Sequence, residues 1–365
     1  MRTDRIDRLF LVVSVALIAI GFFIFLSAAF GVLARSEAKF ENVILSQALL
    51  GLGGGTAALI LLSRIKLIHL KKNAFWIFTG GILLSALVFV PGVGFEHGGA
   101  RRWIDLGFTT FQPSEFLKFG FVVYLAAWFT YFRGKIHRDL FGFYPLLGLL
   151  GITGALILSQ PDTGTFLIAA AAGVGMYLVM GGKWHHFLLI AIAGILLLVV
   201  LAFTKPYIMD RFMTLFRPDD FQGSGYQIKQ SLIAIGSGEI TGKGWGQSVQ
   251  KFNYLPEPIG DSVFAVYAEE LGFIGAVFLI LLYVLFALRG LWIASHSADL
   301  FSGLLAVGLV ILITAQSFVN IGSMLGLAPL TGVPLVFVSH GGTALFIALA
   351  EVGILFNISR HCSRI

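Results

Sequence analysis

Long apolar runs alternate with short polar ones along almost the whole chain. Ten runs are long enough to cross a bilayer, at residues 10–33, 43–62, 74–90, 115–132, 140–159, 163–181, 186–203, 262–288, 300–326 and 341–357. About 20 apolar residues in helical form span the hydrocarbon core. A spanning segment must satisfy its own backbone, and runs of this length do so as helices rather than as barrel strands. The pattern predicts an all-α polytopic membrane protein of about ten transmembrane helices, built as a single transmembrane domain over residues 1–365. A large extracellular loop, residues 203–261, separates spans seven and eight.

The polar punctuation supplies an orientation. The first run follows Arg2, Arg5 and Arg8 and lacks a small-residue cleavage site, so it reads as a retained anchor. Ten alternating spans then place Arg2, Arg5, Arg8, Arg64, Lys66, Lys71, Lys72, Arg133, Lys135, Arg138, Lys183, Arg289, Arg360 and Arg364 on one side, fourteen of the 25 Lys and Arg. The short loops of the other side hold only Arg35, Lys39, Arg101 and Arg102. The positive-inside rule makes the first side cytoplasmic, with both termini there and the long loop facing outward.

Composition agrees: 57% of residues are hydrophobic and 12% charged, against about 25% charged in soluble proteins. The net charge of +6 is scattered in short clusters between apolar runs, which points to membrane topology and not to nucleic acid. One cysteine, Cys362, excludes an intrachain disulfide framework, and no histidine cluster or cysteine spacing suggests zinc.

Within the long loop, Ile228, Leu232 and Ile235 follow helical spacing beside Gln227, Lys229 and Gln230, predicting a short amphipathic helix. The glycine-rich stretch GSGEITGKGWGQ follows. It is no phosphate-binding Walker loop, because Ser237 stands where the motif needs glycine and Gly244 where it needs Ser or Thr.

The candidate chemistry gathers at the outer ends of the spans. Pro256 and Pro258 keep the chain from entering a helix before Ile259, so Asp261 or Ser262 is the natural N-cap of the eighth span. By position Asp261 reads either as that cap or as a general base at the membrane face. Glu115 and Lys118, three apart on one face behind Gln112-Pro113-Ser114, enter the fourth span, where ionisable groups normally find partners or serve a site. Asp162 opens the sixth span from the same side and is expected to pair with Lys118. Arg101 and Arg102 lie in the preceding loop, either anchoring it at headgroups or gripping a pyrophosphate with their guanidinium forks. Glu269 and Glu270 sit roughly 12 Å beyond Asp261 on a straight helix, which suits structural pairing better than a shared two-carboxylate centre. The last outer loop, with two prolines, His340, Gly341 and Gly342, reads as a roof over the site or as a plain turn.

Several segments in order, GGARRWIDLG with QPSEFLK, QPDTGT, GKGWGQSVQKFNYLPEP, DSVFAVYAEELGFIG, NIGSMLGLAPLTGVPLVFVSHGG and a closing NISR, resemble the SEDS polymerases of bacterial cell-wall synthesis, the family of FtsW, RodA and SpoVE. The resemblance covers nearly the whole chain, and the LPEP context looks closer to the FtsW branch. It implies a peptidoglycan glycosyltransferase that joins lipid II and lipid-linked glycan in cell division or cell shape. Asp261 would be the general base on the acceptor GlcNAc 4-hydroxyl, undecaprenyl pyrophosphate would leave, and the anomeric carbon would invert. The resemblance puts Gln112, Glu115, Lys118, Asp162, Ser339, His340, Gly341 and Gly342 among substrate-binding residues. It leaves Arg101, Arg102, Lys243 or a divalent cation, Mg2+ or Mn2+, to receive the pyrophosphate charge, with Asp261 a conceivable metal ligand. Implied partners are a class B penicillin-binding protein and other divisome or elongasome membrane proteins. Two departures are Ile259-Gly260, where many relatives have His-Thr, and His340, where tyrosine is common. The competing readings are a lipid II flippase, which would set its coupling charges near the midplane, and a non-catalytic division scaffold.

Overall fold

The computed structural model describes residues 6–34, 36–97, 100–105, 107, 110–216 and 223–362. Arg2, Arg5, Arg35 and Arg364 of the charge pattern lie outside the described residues. In chain order the helices are α1 (Arg8–Leu33), α2 (Glu37–Leu62), α3 (Leu67–Lys72), α4 (Ala74–Leu87), α5 (Pro113–Tyr131), α6 (Phe143–Ser159), α7 (Thr163–Val179), α8 (Trp184–Thr204), α9 (Pro206–Phe216), α10 (Ser224–Ser237), α11 (Gln250–Asn253), α12 (Val263–Ser295), α13 (Leu300–Met324) and α14 (Gly342–Arg360). Ten of them fall on the ten apolar runs. Six, α1, α2, α8, α12, α13 and α14, are long and apolar enough to span by length and composition; α4, α6 and α7 are apolar but shorter, and α5 carries Glu115 and Lys118.

The centre of the bundle is α13 and α14, whose apolar windows are 78% and 89% buried, whereas none of the α8 window is. Helix α8 therefore lies at the edge of the bundle, with only His186 near its start buried. The middle of α2 is a π-helix, Ser46–Gly54, which lays Gly51 and Gly55 against Leu345 and Leu349 of α14 and turns Gln47 inward. Such local widening is often found at functional sites.

Helix α12 is not continuous. Gly272 has φ 65° and ψ −165°, so the first two turns, carrying Glu269 and Glu270, are set off from the long remainder. A break inside a span frees backbone groups that lipid cannot satisfy. Here the glycine-rich loop satisfies them: Lys243 N donates to Glu269 O (3.1 Å), Gly244 N to Glu270 O (2.9 Å), Phe273 N to Glu239 O (2.9 Å) and Ile274 N to Ile240 O (3.1 Å). The approach is so close that a Cβ on Gly272 would lie 2.3 Å from Gly242 N.

Two features depart from the sequence reading. A small antiparallel sheet, β1 (Gly94–His97), β2 (Ala100–Asp105) and β3 (Thr110–Phe111) in that order, folds the loop before α5. The segment between α13 and α14 has no regular structure, yet Val333, Leu335, Phe337 and Val338 are buried in the bundle. Its backbone is satisfied by side chains: Gln316 Nε2 donates to Pro334 O (3.2 Å), Asn320 Nδ2 to Val333 O (2.9 Å), and the Tyr283 hydroxyl to Val336 O. The amphipathic helix expected around Ile228 is α10, with Ile228 buried.

Candidate functional site

Asp261 sits in the turn just before α12. The capping position falls on Ser262, and the Asp261 side chain makes no cap bond. The turn is fixed from three directions through its backbone. Asn320 Nδ2 donates to Asp261 O (2.9 Å), Ser339 Oγ to Gly260 O (2.7 Å), and His340 N to Ile259 O (2.7 Å). Gln227 of α10 adds a bond from Nε2 to Ser262 Oγ (2.9 Å). The carbonyls of Ile259, Gly260 and Asp261 are thus held from outside the turn, and among the described residues the Asp261 carboxylate makes no hydrogen bond, which leaves it free for chemistry.

Two arginines reach the same point. Arg102 alternates with Arg101 on β2, so the two point to opposite faces: Arg101 pairs with Glu96 at 3.0 Å in solvent, while Arg102 turns inward and is buried. Arg102 Nε donates to Gln160 O (3.0 Å) and Nη2 to Pro161 O. Arg211, from α9, donates Nη1 to Thr331 O (3.3 Å). Their remaining nitrogens converge beside Asp261. A Cβ placed on Gly332, whose φ is +72°, would lie 3.6 Å from Asp261 Oδ2, 3.7 Å from Arg102 Nη1 and 3.9 Å from Arg211 Nη2.

The electrostatics follow from that geometry. Burial, then the neighbouring Glu257 carboxylate, push the Asp261 pKa up from 3.8 to about 6; Arg211 and Arg102 pull against this, and Asp162 adds to it. Burial and the like charge of Arg102 lower the Arg211 pKa, with Asp261 opposing. A carboxylate raised to about 6 is ionised at neutral pH and is a stronger base than an ordinary aspartate.

The other sequence candidates divide into those near Asp261 and those elsewhere. Asp162 caps α7 through Thr165 N (3.2 Å) and accepts from Gln112 Nε2 (3.5 Å). The expected Lys118–Asp162 pair does not form. Lys118 lies deeper, bonded to Glu115 (2.9 Å) and Gln316 Oε1 (2.6 Å), because the i, i+3 partner and the facing helix α13 reach it first. This buried group lines a small cavity with Glu351, Ser339 and Phe337. Lys243 is held by Glu269 at 2.7 Å, at the α12 break and not at Asp261. Glu270 pairs with the buried Lys251 at 2.7 Å and accepts from Ser27. Both glutamates thus have structural partners, supplied by the long loop.

The roof residues act through backbone and packing. Gln47 clasps the segment from α2, donating to Ser339 O (3.3 Å) and accepting from Gly341 N (3.0 Å), and Gly342 packs against Ser46. The His340 ring stacks on Phe25 with centroids 6.0 Å apart and its Nε2 has no partner; burial lowers its pKa to about 4, so it is neutral. Arg211, Glu257, Gln47, Gln316, Asn320 and Glu351 were not among the sequence candidates. Only Glu257, beside the singled-out Asp261, carried a local signal.

A resident metal ion does not fit this donor set. Among the described residues no three His, Cys, Asp or Glu side chains are grouped to hold one, and the space beside Asp261 is flanked by two guanidinium groups. A hard divalent cation takes oxygen ligands, usually at least one or two carboxylates with waters or phosphates.

Comparison with known proteins places the chain among a defined group. Stage V sporulation protein E of Bacillus subtilis (strain 168) is 36% identical over 358 residues, 97% of each chain. A probable peptidoglycan glycosyltransferase FtsW of Taylorella equigenitalis (strain MCE9) is 38% identical over 293 residues, 79% of this chain and 80% of that one. Among solved structures, a chain from a peptidoglycan synthase complex, described as coordinating polymerization and crosslinking, superposes with TM-score 0.79 at 29% identity, over 97% of this chain and 98% of that one. The rod shape determining protein RodA of Thermus thermophilus superposes with TM-score 0.71 at 27% identity over 98% of both. Residues 7–364 match the FtsW/RodA/SpoVE family of cell cycle proteins, and the chain belongs to that family.

Proposed function

We propose that this chain is a peptidoglycan glycosyltransferase that polymerises lipid II at the outer face of the bacterial cytoplasmic membrane, with Asp261 as general base. The observation that carries the reading is the placement of the two arginines. Each spends part of its guanidinium on backbone carbonyls and turns the rest to one point beside a carboxylate raised to about 6. That is a base and an anion cradle side by side.

In this mechanism Asp261 takes the proton of the acceptor GlcNAc 4-hydroxyl as its oxygen attacks the anomeric carbon of the lipid-linked donor. The bond from that carbon to the pyrophosphate oxygen breaks with inversion, and its electron pair leaves on undecaprenyl pyrophosphate. Arg102 and Arg211 receive the developing charge. Because carbonyls hold them in place beforehand, little reorganisation is needed as that charge develops. Asp162 and Gln112 border the same cradle, and Ser339, His340, Gly341 and Gly342 shape its roof. No step is assigned to Arg101 or Lys243, which are paired elsewhere.

The positive-inside pattern supports cytoplasmic termini and an outward Asp261. A class B penicillin-binding protein is the proposed partner, in keeping with the similarity to a chain of a complex that couples polymerization to crosslinking. A second reading, a lipid II flippase, draws on one observation: the buried Glu115, Lys118 and Glu351 around one cavity inside the bundle. The test is polymerisation of lipid II by purified protein with its transpeptidase partner. Glycan strands from wild type and none from Asp261→Asn support the polymerase. No strands from wild type, with labelled lipid II crossing liposomes in both proteins, would establish the flippase instead.

A further inference from the structure

The spans alternate, so the turn after α2, the start of α13 and the end of α14 meet on the face opposite Asp261. They enclose an open cleft of about 510 Å³. Arg64, Lys66, Arg360 and His361 line it, and among the described residues Asp299 is its one carboxylate. Asp299 is already committed: as N-cap of α13 it accepts from Ser302 N (3.1 Å) and Ser302 Oγ (2.7 Å). Among the described residues Arg64, Lys66 and Arg360 have no ion pair and no side-chain hydrogen bond.

Three free cations on an exposed surface repel one another and gain by spreading apart. The fold prevents this. Asn357 Nδ2 donates to both Leu62 O (2.9 Å) and Ile65 O (2.6 Å), clamping the turn that bears Arg64 and Lys66 onto α14 three residues before Arg360. One turn earlier, Gly353 lets α14 touch the α2 backbone, where a Cβ would lie 2.5 Å from Leu59 O. The apolar Ile68 lies exposed at the edge of the cleft. A concave, pre-assembled group of cations with an apolar lip suits a phosphate carried on a lipid, and basic pockets between spans are known to take such headgroups.

We propose that this cleft binds the phosphate of an anionic phospholipid in the leaflet opposite Asp261, a site separate from the polymerisation centre. A water-soluble phosphate shares the recognising chemistry, and the experiment separates the two. Full-length protein in neutral detergent is titrated with phosphatidylglycerol or phosphatidylcholine and the bound lipid is read by native mass spectrometry. The variant Arg64→Gln/Lys66→Gln/Arg360→Gln is compared with wild type and with Lys72→Gln/Arg133→Gln/Arg138→Gln, which removes three charges elsewhere on the same face. At about a factor of five per cation, phosphatidylglycerol affinity should fall on the order of 100-fold in the cleft variant and little in the control. Phosphatidylcholine binding and elution as a monodisperse species should be unchanged. Retention of phosphatidylglycerol against millimolar inorganic phosphate identifies a lipid site, and displacement identifies a soluble phosphate. Equal losses in both variants, or none in the cleft variant, would overturn the proposal.

Discussion

At the level of single residues, the proposed chemistry turns on what surrounds one carboxylate. Asp261 has its pKa raised to about 6 chiefly by burial, so its ionised form is a liability for folding. The sign follows from linkage: an acid whose folded pKa lies above its unfolded value destabilises the fold above about pH 6, and the penalty disappears below about pH 4. Asp261→Asn should therefore melt no lower than wild type at pH 7.5, with any gain vanishing near pH 4, while losing polymerisation; a thermal shift series over pH checks this. Arg211 gives a second test. Arg211→Lys keeps a charge but loses the fork that bonds Thr331 O while facing Asp261, so polymerisation should fall by roughly 10-fold or more, as expected when charge-assisted bonds worth about 1.5–3 kcal/mol are lost. The sequence exposed Asp261 because prolines and an apolar run bracket it. It hid Arg211, which looks like one scattered cation of the long loop until α9 brings it to the roof.

At the element scale, the break in α12 links the long loop to the site. The pattern of apolar positions predicts a single span from 262 to 288, since glycine at 272 is apolar by pattern and only its φ of 65° reveals the break. The glycine-rich stretch then has a structural purpose: its backbone fills the hydrogen bonds that the break opens. Gly272→Ala needs both a left-handed residue and room 2.3 Å from Gly242 N, so it should cost about 1–3 kcal/mol or more, seen as a lower melting temperature. Lys251→Met leaves Glu270 buried without its cation and should cost about 3–5 kcal/mol. Adding Glu270→Gln should recover much of that loss, which a double-mutant cycle would read. These buried pairs were invisible in sequence because Lys251 lies in a polar loop and its burial comes only from docking on α1 and α12.

At the scale of the whole molecule, apolar run length was enough to place a helix on each of the ten expected spans, six of them long and apolar enough to cross by length and composition. It could not find the small sheet or the buried irregular segment before α14, whose positions are set by side chains of distant helices such as Gln47, Gln316 and Asn320. The same distance defeated the proposed Lys118–Asp162 pair, since Gln316 lies 198 residues away from the lysine it bonds. The site is thus assembled from β2, α9, α10, α13 and the turns before α7 and α12 with the segment before α14, while the basic cleft lies at the other end of the bundle. Sidedness has its own test: a cysteine at Arg101 should react with an impermeant maleimide in intact cells, and one at Lys135 should react only after lysis.

In the proposed mechanism Asp261 is the base, and Arg211 and Glu257 set its basicity. The pH profile of kcat/KM for lipid II polymerisation measures this directly. Wild type should lose activity below an apparent pKa near 6, the value that burial and these neighbours give Asp261. Arg211→Gln should move that acid limb to higher pH by removing a cation that favours the carboxylate, and Glu257→Gln should move it to lower pH by removing an anion that opposes it. Opposite shifts would bear out the account, whereas a limb that stays in place in both variants would contradict it.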